Sequence, residues 1–275
     1  MGLGGNMISG WQGVAFNQAP DSANEIHGDR VAKQYGFRGG LVPGVTISAY
    51  LLHPAVETWG LDFLNRGAAH VRVGSPLYDE EPFEVRITEQ TETAYRAEIC
   101  QPDGTVSASA DVSLPELAAA APERRGDPLA DRHYEPPQSS PEVFEELRNN
   151  GCKAFRYRWT GEHNMRTYLR EAEQMPELLG LDGPGYANMG FLLGCSNWIL
   201  AGNARMNPWV HLETRSQNYR AVPPDTAVIA EMGVRDFYEK KGHKFIDVDV
   251  NLFDEQDDAC LTTIGLRAIY RLRGL

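Results

Sequence analysis

Sliding this 275-residue chain along itself brings two stretches into register at a period of about 140 residues. Asn24, His27 and Ala32 fall on Asn164, Thr167 and Ala172, Pro43-Gly44 falls on Pro184-Gly185, and Gly60 falls on Gly202. A period that long is a domain's length of chain, so one unit is present twice, in tandem. In each copy an apolar stretch of helical length precedes four strand-like segments. The first set is Ala68 to Val73, Phe83 to Thr88, Tyr95 to Cys100 and Val106 to Leu114; the second is His211 to Tyr219, Ala227 to Val234, Lys244 to Phe253 and Ala259 to Leu272. An earlier strand, Trp11 to Phe16 or Ala154 to Thr160, opens each copy. Between them, Pro115 to Pro141 carries the Ala118 to Ala121 run and Pro136-Pro137, and is poor in large apolar residues. It is expected to cross over without regular structure. The organisation predicted is residues 1–114 as one unit, 115–141 as linker and 142–275 as the second unit.

Chemistry concentrates between Asn24 and Gly44. His27 stands at the head of a short helical run with Val31, Ala32 and Tyr35 apolar, so its imidazole is presented at the end of an element and not along a packed face. Pro43-Gly44 then lead into the apolar helix from Val45 to Leu52. The first N–H groups of such a helix have no internal acceptor and carry the positive end of the dipole. Gly44 would let a substrate carbonyl approach that backbone. An imidazole and a free helix N-terminus in one loop system suit water activation or enolisation of a thioester whose oxygen is held by N–H donors.

Asn24, His27, Gly36-Phe37 and Pro43-Gly44 together resemble the hydratase motif of the MaoC-like (R)-specific enoyl thioester hydratases and dehydratases. The resemblance implies an α+β double hot-dog fold, two tandem domains each with a curved antiparallel sheet wrapped around a long central helix. It also implies addition of water to, or its removal from, a 2,3-enoyl/3-hydroxyacyl thioester of the kind used in fatty acid metabolism. His27 would be the acid/base group, helped by Asp21, with Asn24 fixing the loop and the Gly44 N–H binding the thioester oxygen. Ser22 and Val45 would lie beside the substrate. Arg38 and Lys33, with Arg30 and Arg66, would offer cations to coenzyme A or a phosphopantetheine carrier, although a solvated helix face explains any single member of that set. The family pattern runs Asp-x-Asn-Pro-x-His, and this chain departs from it: Ser22 occupies the aspartate position, Asp21 stands one residue earlier, and Glu25 replaces the proline. Either a longer loop returns Asp21 to the site, or no carboxylate serves it and Asn24 or Ser22 orients His27. A hot-dog thioesterase, in which a carboxylate activates water, and a non-catalytic acyl-thioester binding protein both stay open.

The second copy has Thr167 at the His27 position, so one active site per chain, in the first half, is expected. The two units should pair edge to edge and remove an exposed strand edge. A homodimer of such chains is a further possible assembly. The net charge of −12 excludes a general nucleic-acid or anionic-membrane surface. Cys100, Cys152, Cys195 and Cys260 lack metal-ligand spacing and are expected to be reduced structural thiols, with no metal and no cofactor beyond the substrate's own carrier. The Met1-Gly-Leu-Gly-Gly start has no signal-peptide core, no myristoylation pattern and no dinucleotide loop. His53, Pro54, Glu57 and Asp62 interrupt the run from Val45 to Leu64, which rules it out as a membrane span, so a cytoplasmic protein is expected. His53, His70, His163 and His211 stand beside apolar residues and are assigned structural roles, and the aromatics Trp198, Trp209, Tyr219, Phe237 and Tyr238 are assigned to packing.

Overall fold

The computed structural model describes residues 7–180 and 182–274; the Met1-Gly-Leu-Gly-Gly stretch lies outside them. The strands are β1 (Trp11–Val14), β2 (Ala68–Val73), β3 (Pro82–Gln90), β4 (Ala94–Cys100), β5 (Val106–Ser113), β6 (Phe155–Arg158), β7 (Val210–Asn218), β8 (Ala227–Lys240), β9 (His243–Asp254) and β10 (Cys260–Arg271). They form one antiparallel sheet in the order β1-β3-β4-β5-β2-β7-β10-β9-β8-β6. The order reads the same from both ends once the halves are exchanged, so the repeat is a pseudo-dyad. Its axis passes between β2 and β7, paired from Ala68↔Gln217 to Arg72↔Glu213.

Each half packs one long helix against its sheet. The first, α2 (Gly44–Trp59), follows the short α1 (Asp29–Gln34) and precedes α3 (Leu61–Arg66). The second, α5 (Met189–Asn203), follows α4 (Pro141–Asn150), and α2 and α5 touch each other. Every residue of α2 from Gly44 to Val56 is buried, so the helix is held by packing all round and not by an amphipathic stripe. Pro54 sits inside it and cannot donate to the Tyr50 carbonyl four residues back. That carbonyl accepts the Trp11 indole N–H at 3.1 Å instead, and the Tyr95 hydroxyl donates to the Leu51 carbonyl at 2.7 Å. The proline's missing bond thus becomes an anchor for the edge strand β1.

Two expectations from the sequence need correction. Pro184-Gly185 does not open the second central helix: Asn188 caps it and Met189 begins it, whereas Pro43 caps the first and Gly44 begins it. Pro-Gly is also a turn signature, and Gly185 has φ +64°, in the left-handed region that glycine supplies to turns. Gly202 likewise lies within α5, while Gly60 follows α2 as its C-cap. The second hairpin is also longer than its polarity suggests. β8 runs on to Lys240 and meets β9 at His243 through a tight turn in which Lys241 and Gly242 both have positive φ, the two-residue hairpin geometry.

Residues 114–140 contain no helix and no ladder strand, only isolated bridges at Leu129 and Gln138. They are tied down by Glu231 of β8, which is 0% exposed and whose carboxylate accepts the backbone N–H groups of Arg125, Gly126 and Asp127 at 2.7–2.9 Å. Charge-assisted bonds to a carboxylate are the strong class, and removing the acceptor leaves three donors without it. Glu231→Ala is expected to destabilise the protein by about 3 kcal/mol, seen as a lowered thermal midpoint, with Glu231→Gln intermediate. A midpoint unchanged in both variants would show that the crossover does not depend on this carboxylate.

Candidate active site

The motif segment folds around the backbone of His27. A 3-10 turn, Glu25–His27, buries Ile26 and ends at the histidine just before α1. The Gly39-Gly40 turn then passes back over it. A Cβ on Gly40 would lie 2.0 Å from the His27 carbonyl oxygen, so only glycine allows this approach. The close pass places Leu41 so that its N–H donates to the Ile26 carbonyl at 3.1 Å and its carbonyl accepts the His27 Nδ1–H at 2.7 Å. With Nδ1 acting as the donor, Nε2 carries the lone pair. The Asn24 side chain bonds both backbone groups of Trp209, accepting from its N–H at 3.0 Å and donating to its carbonyl at 2.9 Å. Its amide nitrogen also stands 3.4 Å from His27 Nε2.

His27, Asn24 and Gly44 line one cavity of about 220 Å³. Its walls are mainly apolar, with Ile26, Phe37, Leu41, Ile47, Val210 and Ile269 among them. No side-chain cap closes the N-terminus of α2, whose Gly44 N–H precedes the first intrahelical acceptor. Burial disfavours the imidazolium and pulls the His27 pKa down, against the smaller raising effect of the Leu41 bond. Neutral His27 beside free N–H donors in an apolar cavity is equipped to take a proton from water while a developing oxyanion is held.

The structure leaves the other sequence-chosen residues out of this cavity. Asp21 is exposed, and the Ser22 hydroxyl donates to the Asn24 carbonyl at 3.1 Å, bracing the turn. Val45 is buried in the core. Lys33 pairs with Asp29 at 2.9 Å and Arg38 pairs with Glu81 at 2.9 Å while lying over the Tyr78 ring. Arg30 and Arg66 are paired with Glu25 and Asp62. All four cations are thus engaged by local carboxylates. No aspartate or glutamate is among the lining residues.

The second half supplies walls that the sequence assigns to packing (Trp209) or to a structural role (His211), and one it does not single out (Asn197). Trp209, His211 and Asn197 all face the cavity, so it lies between the halves and not within the first. His211, 6% exposed, packs its ring against the start of α2: a Cβ on Gly44 would meet its Cδ2, Cγ and Cβ at 2.7–2.9 Å. Gly44 is therefore required by the ring above it as much as by any substrate. The signal for His211 in the sequence is only a polar residue between Val210 and Leu212 at the start of a strand. The corresponding N-terminus in the second half is closed, because Asn188 accepts the Phe191 N–H at 3.1 Å and is itself held by donating to Met165 and Arg166 carbonyls. Among the described residues there is no cluster of three metal-ligating side chains, all four cysteines are free and buried, and no helix is long and apolar enough to cross a membrane.

No family model and no curated protein matches the chain. Among solved structures it is similar to a Chloroflexus aurantiacus J-10-fl protein described as a MaoC domain protein dehydratase, with a TM-score of 0.56 and 10% identity over 99% of each chain. A conserved Mycobacterium tuberculosis protein with a double hotdog fold aligns with a TM-score of 0.53 and 10% identity, over 95% of this chain and 94% of that one. A protein of Novosphingobium aromaticivorans DSM 12444 described as a thioesterase aligns over 85% of this chain and 89% of its own at 16% identity, but with a TM-score of 0.48. That last likeness is too loose to argue from. The first two establish the fold alone: the chain is a double hot-dog.

Proposed function

We propose that the protein is an acyl-thioester hydratase/dehydratase, adding water across the 2,3 double bond of an enoyl thioester or removing it from the 3-hydroxyacyl form. The observation that supports this most is the placement of the His27 Nε2 lone pair and the uncapped α2 N-terminus on one apolar cavity. In the hydration direction His27 Nε2 takes a proton as the water oxygen bonds to C3. The π electrons pass through C2 to the thioester oxygen, which the Gly44 N–H stabilises, and the proton then returns to C2. Asn24 holds the loop against Trp209. The cavity, at about 220 Å³, exceeds the roughly 150 Å³ that holds one benzene ring and falls below the roughly 300–1,000 Å³ of ordinary ligand pockets. It suits a short acyl group, with the thioester's carrier outside. A thioesterase working through a carboxylate is disfavoured by the acid-free lining.

The deciding assay offers a short-chain trans-2-enoyl-coenzyme A. Loss of the enoyl absorbance without thiol release is expected. Thiol release in its place would make the protein a thioesterase, and saturable binding with neither change would make it a binding protein.

A further inference from the structure

The polar groups of the cavity pose a chemical problem that His27 alone leaves unsolved. A water that adds to C3 is directed when it is held at two points, one hydrogen leaving while the other fixes the oxygen's orientation, and no carboxylate lines the cavity to be the second point. His211 has the required property. Its Nδ1–H donates to the Asn197 side-chain oxygen at 3.0 Å, which leaves Nε2 as an acceptor. That Nε2 is buried and has no hydrogen-bond partner. A buried acceptor without a partner is unfavourable and rarely kept. The ring stands over Gly44, beside the helix terminus assigned to the thioester oxygen. His243, the remaining imidazole of the lining, has its Nδ1 engaged by the Arg273 N–H at 3.1 Å.

We propose that His211 is the second catalytic acceptor, and that two neutral imidazoles from opposite halves replace the imidazole and carboxylate of the family pattern. The proposal rests on the hydratase reading of the same cavity. One hydrogen of the water points to His27 Nε2 and the other to His211 Nε2. The first is transferred to His27 as the C3–O bond forms, and His27 later delivers it to C2. The second stays on oxygen and becomes the hydroxyl hydrogen of the product, still pointing at His211. No proton or electron is gained or lost overall. Burial, with the neighbouring His27, lowers the His211 pKa to about 3, so it remains an acceptor throughout the working range.

The test compares His211→Phe, which keeps ring volume without an acceptor, with His211→Gln, which keeps an amide oxygen. His211→Phe is expected to lower kcat by roughly 10²-fold with KM and thermal midpoint little changed, and His211→Gln should recover part of the loss. A folded His211→Phe enzyme with parental kcat overturns the proposal, as does a loss that falls on KM alone. A second measurement separates this proposal from the hydratase reading. In protein labelled with ¹⁵N-histidine and titrated with a short 3-hydroxyacyl-coenzyme A, the Nε2 resonances of His27 and His211 should shift together. A shift of His27 without His211 refutes the role of His211 alone. Coupled shifts in a protein that turns nothing over would leave the two-point site standing and remove the hydratase reading.

Discussion

His27→Ala is expected to lower kcat by roughly two to four orders of magnitude, the usual contribution of a positioned proton-transfer group, while leaving the fold intact. The fold should survive because the segment is held through backbone groups that the substitution does not touch. The His27 carbonyl accepts the Asn17 side-chain N–H at 2.8 Å, Leu41 bonds Ile26, and Asn24 grips Trp209. The pH dependence supplies an independent check. Burial lowers the His27 pKa from its ordinary 6.5, so the base form persists below that value. In the hydration direction kcat/KM should therefore be flat near neutral pH and decline only as the pH falls below about 6.5. Parental turnover in a folded alanine variant would sink the assignment of His27, and an acid limb above 6.5 would assign the limb to another group.

The strands were legible because each is bounded by turn chemistry. Pro102-Asp103-Gly104 separates β4 from β5, and the boundaries expected for β2, β4 and β5 match the structure to within a residue. The full length of the β8–β9 ribbon was not, since Arg235-Asp236 and Glu239-Lys240 flank Phe237-Tyr238 in pairs and break the apolar/polar alternation that marks a strand, although Phe237 still packs on the core. The start of the second central helix is not marked by the repeat's matching Pro-Gly pair but by Asn188, an ordinary capping residue that the alignment of the two copies does not single out. For the site, His27, Asn24 and Gly44 could be found together because they fall within one loop and helix of contiguous chain. Trp209 meets Asn24 from 185 residues away, and His211 and Asn197 arrive by the same route, through the pairing of β7 with β2 and of α5 with α2. Periodicity carries no record of which side chains such pairing brings face to face. The cations near the motif are neighbours of the site in sequence, and in the structure they lie outside the cavity lining, engaged at the surface by Asp29, Glu81, Glu25 and Asp62.

Removing residues 142–275 is expected to abolish both solubility and turnover. In the whole chain β2 is an interior strand, bonded on one side to β5 and on the other to β7. Truncation would turn it into an edge with unpaired N–H and C=O groups and would bare the face of α2 that meets α5, the combination that drives aggregation. It would also remove Trp209, His211 and Asn197 from the cavity wall, so even a soluble fragment would hold half a site. The converse asymmetry is testable in the same protein. Thr167, aligned with His27 by the repeat, uses its hydroxyl on its own turn, where it accepts the Leu169 N–H at 3.0 Å, and the nearby helix terminus is already filled by Asn188. A threonine hydroxyl without an adjacent base cannot take a proton near neutral pH. Thr167→Ala should therefore leave kcat almost unchanged, and titration with a tight substrate analogue should saturate at one equivalent per chain. A soluble, active fragment of residues 1–141, or saturation at two equivalents, would mean that each half carries its own complete site and that the cavity between them is not where the chemistry occurs.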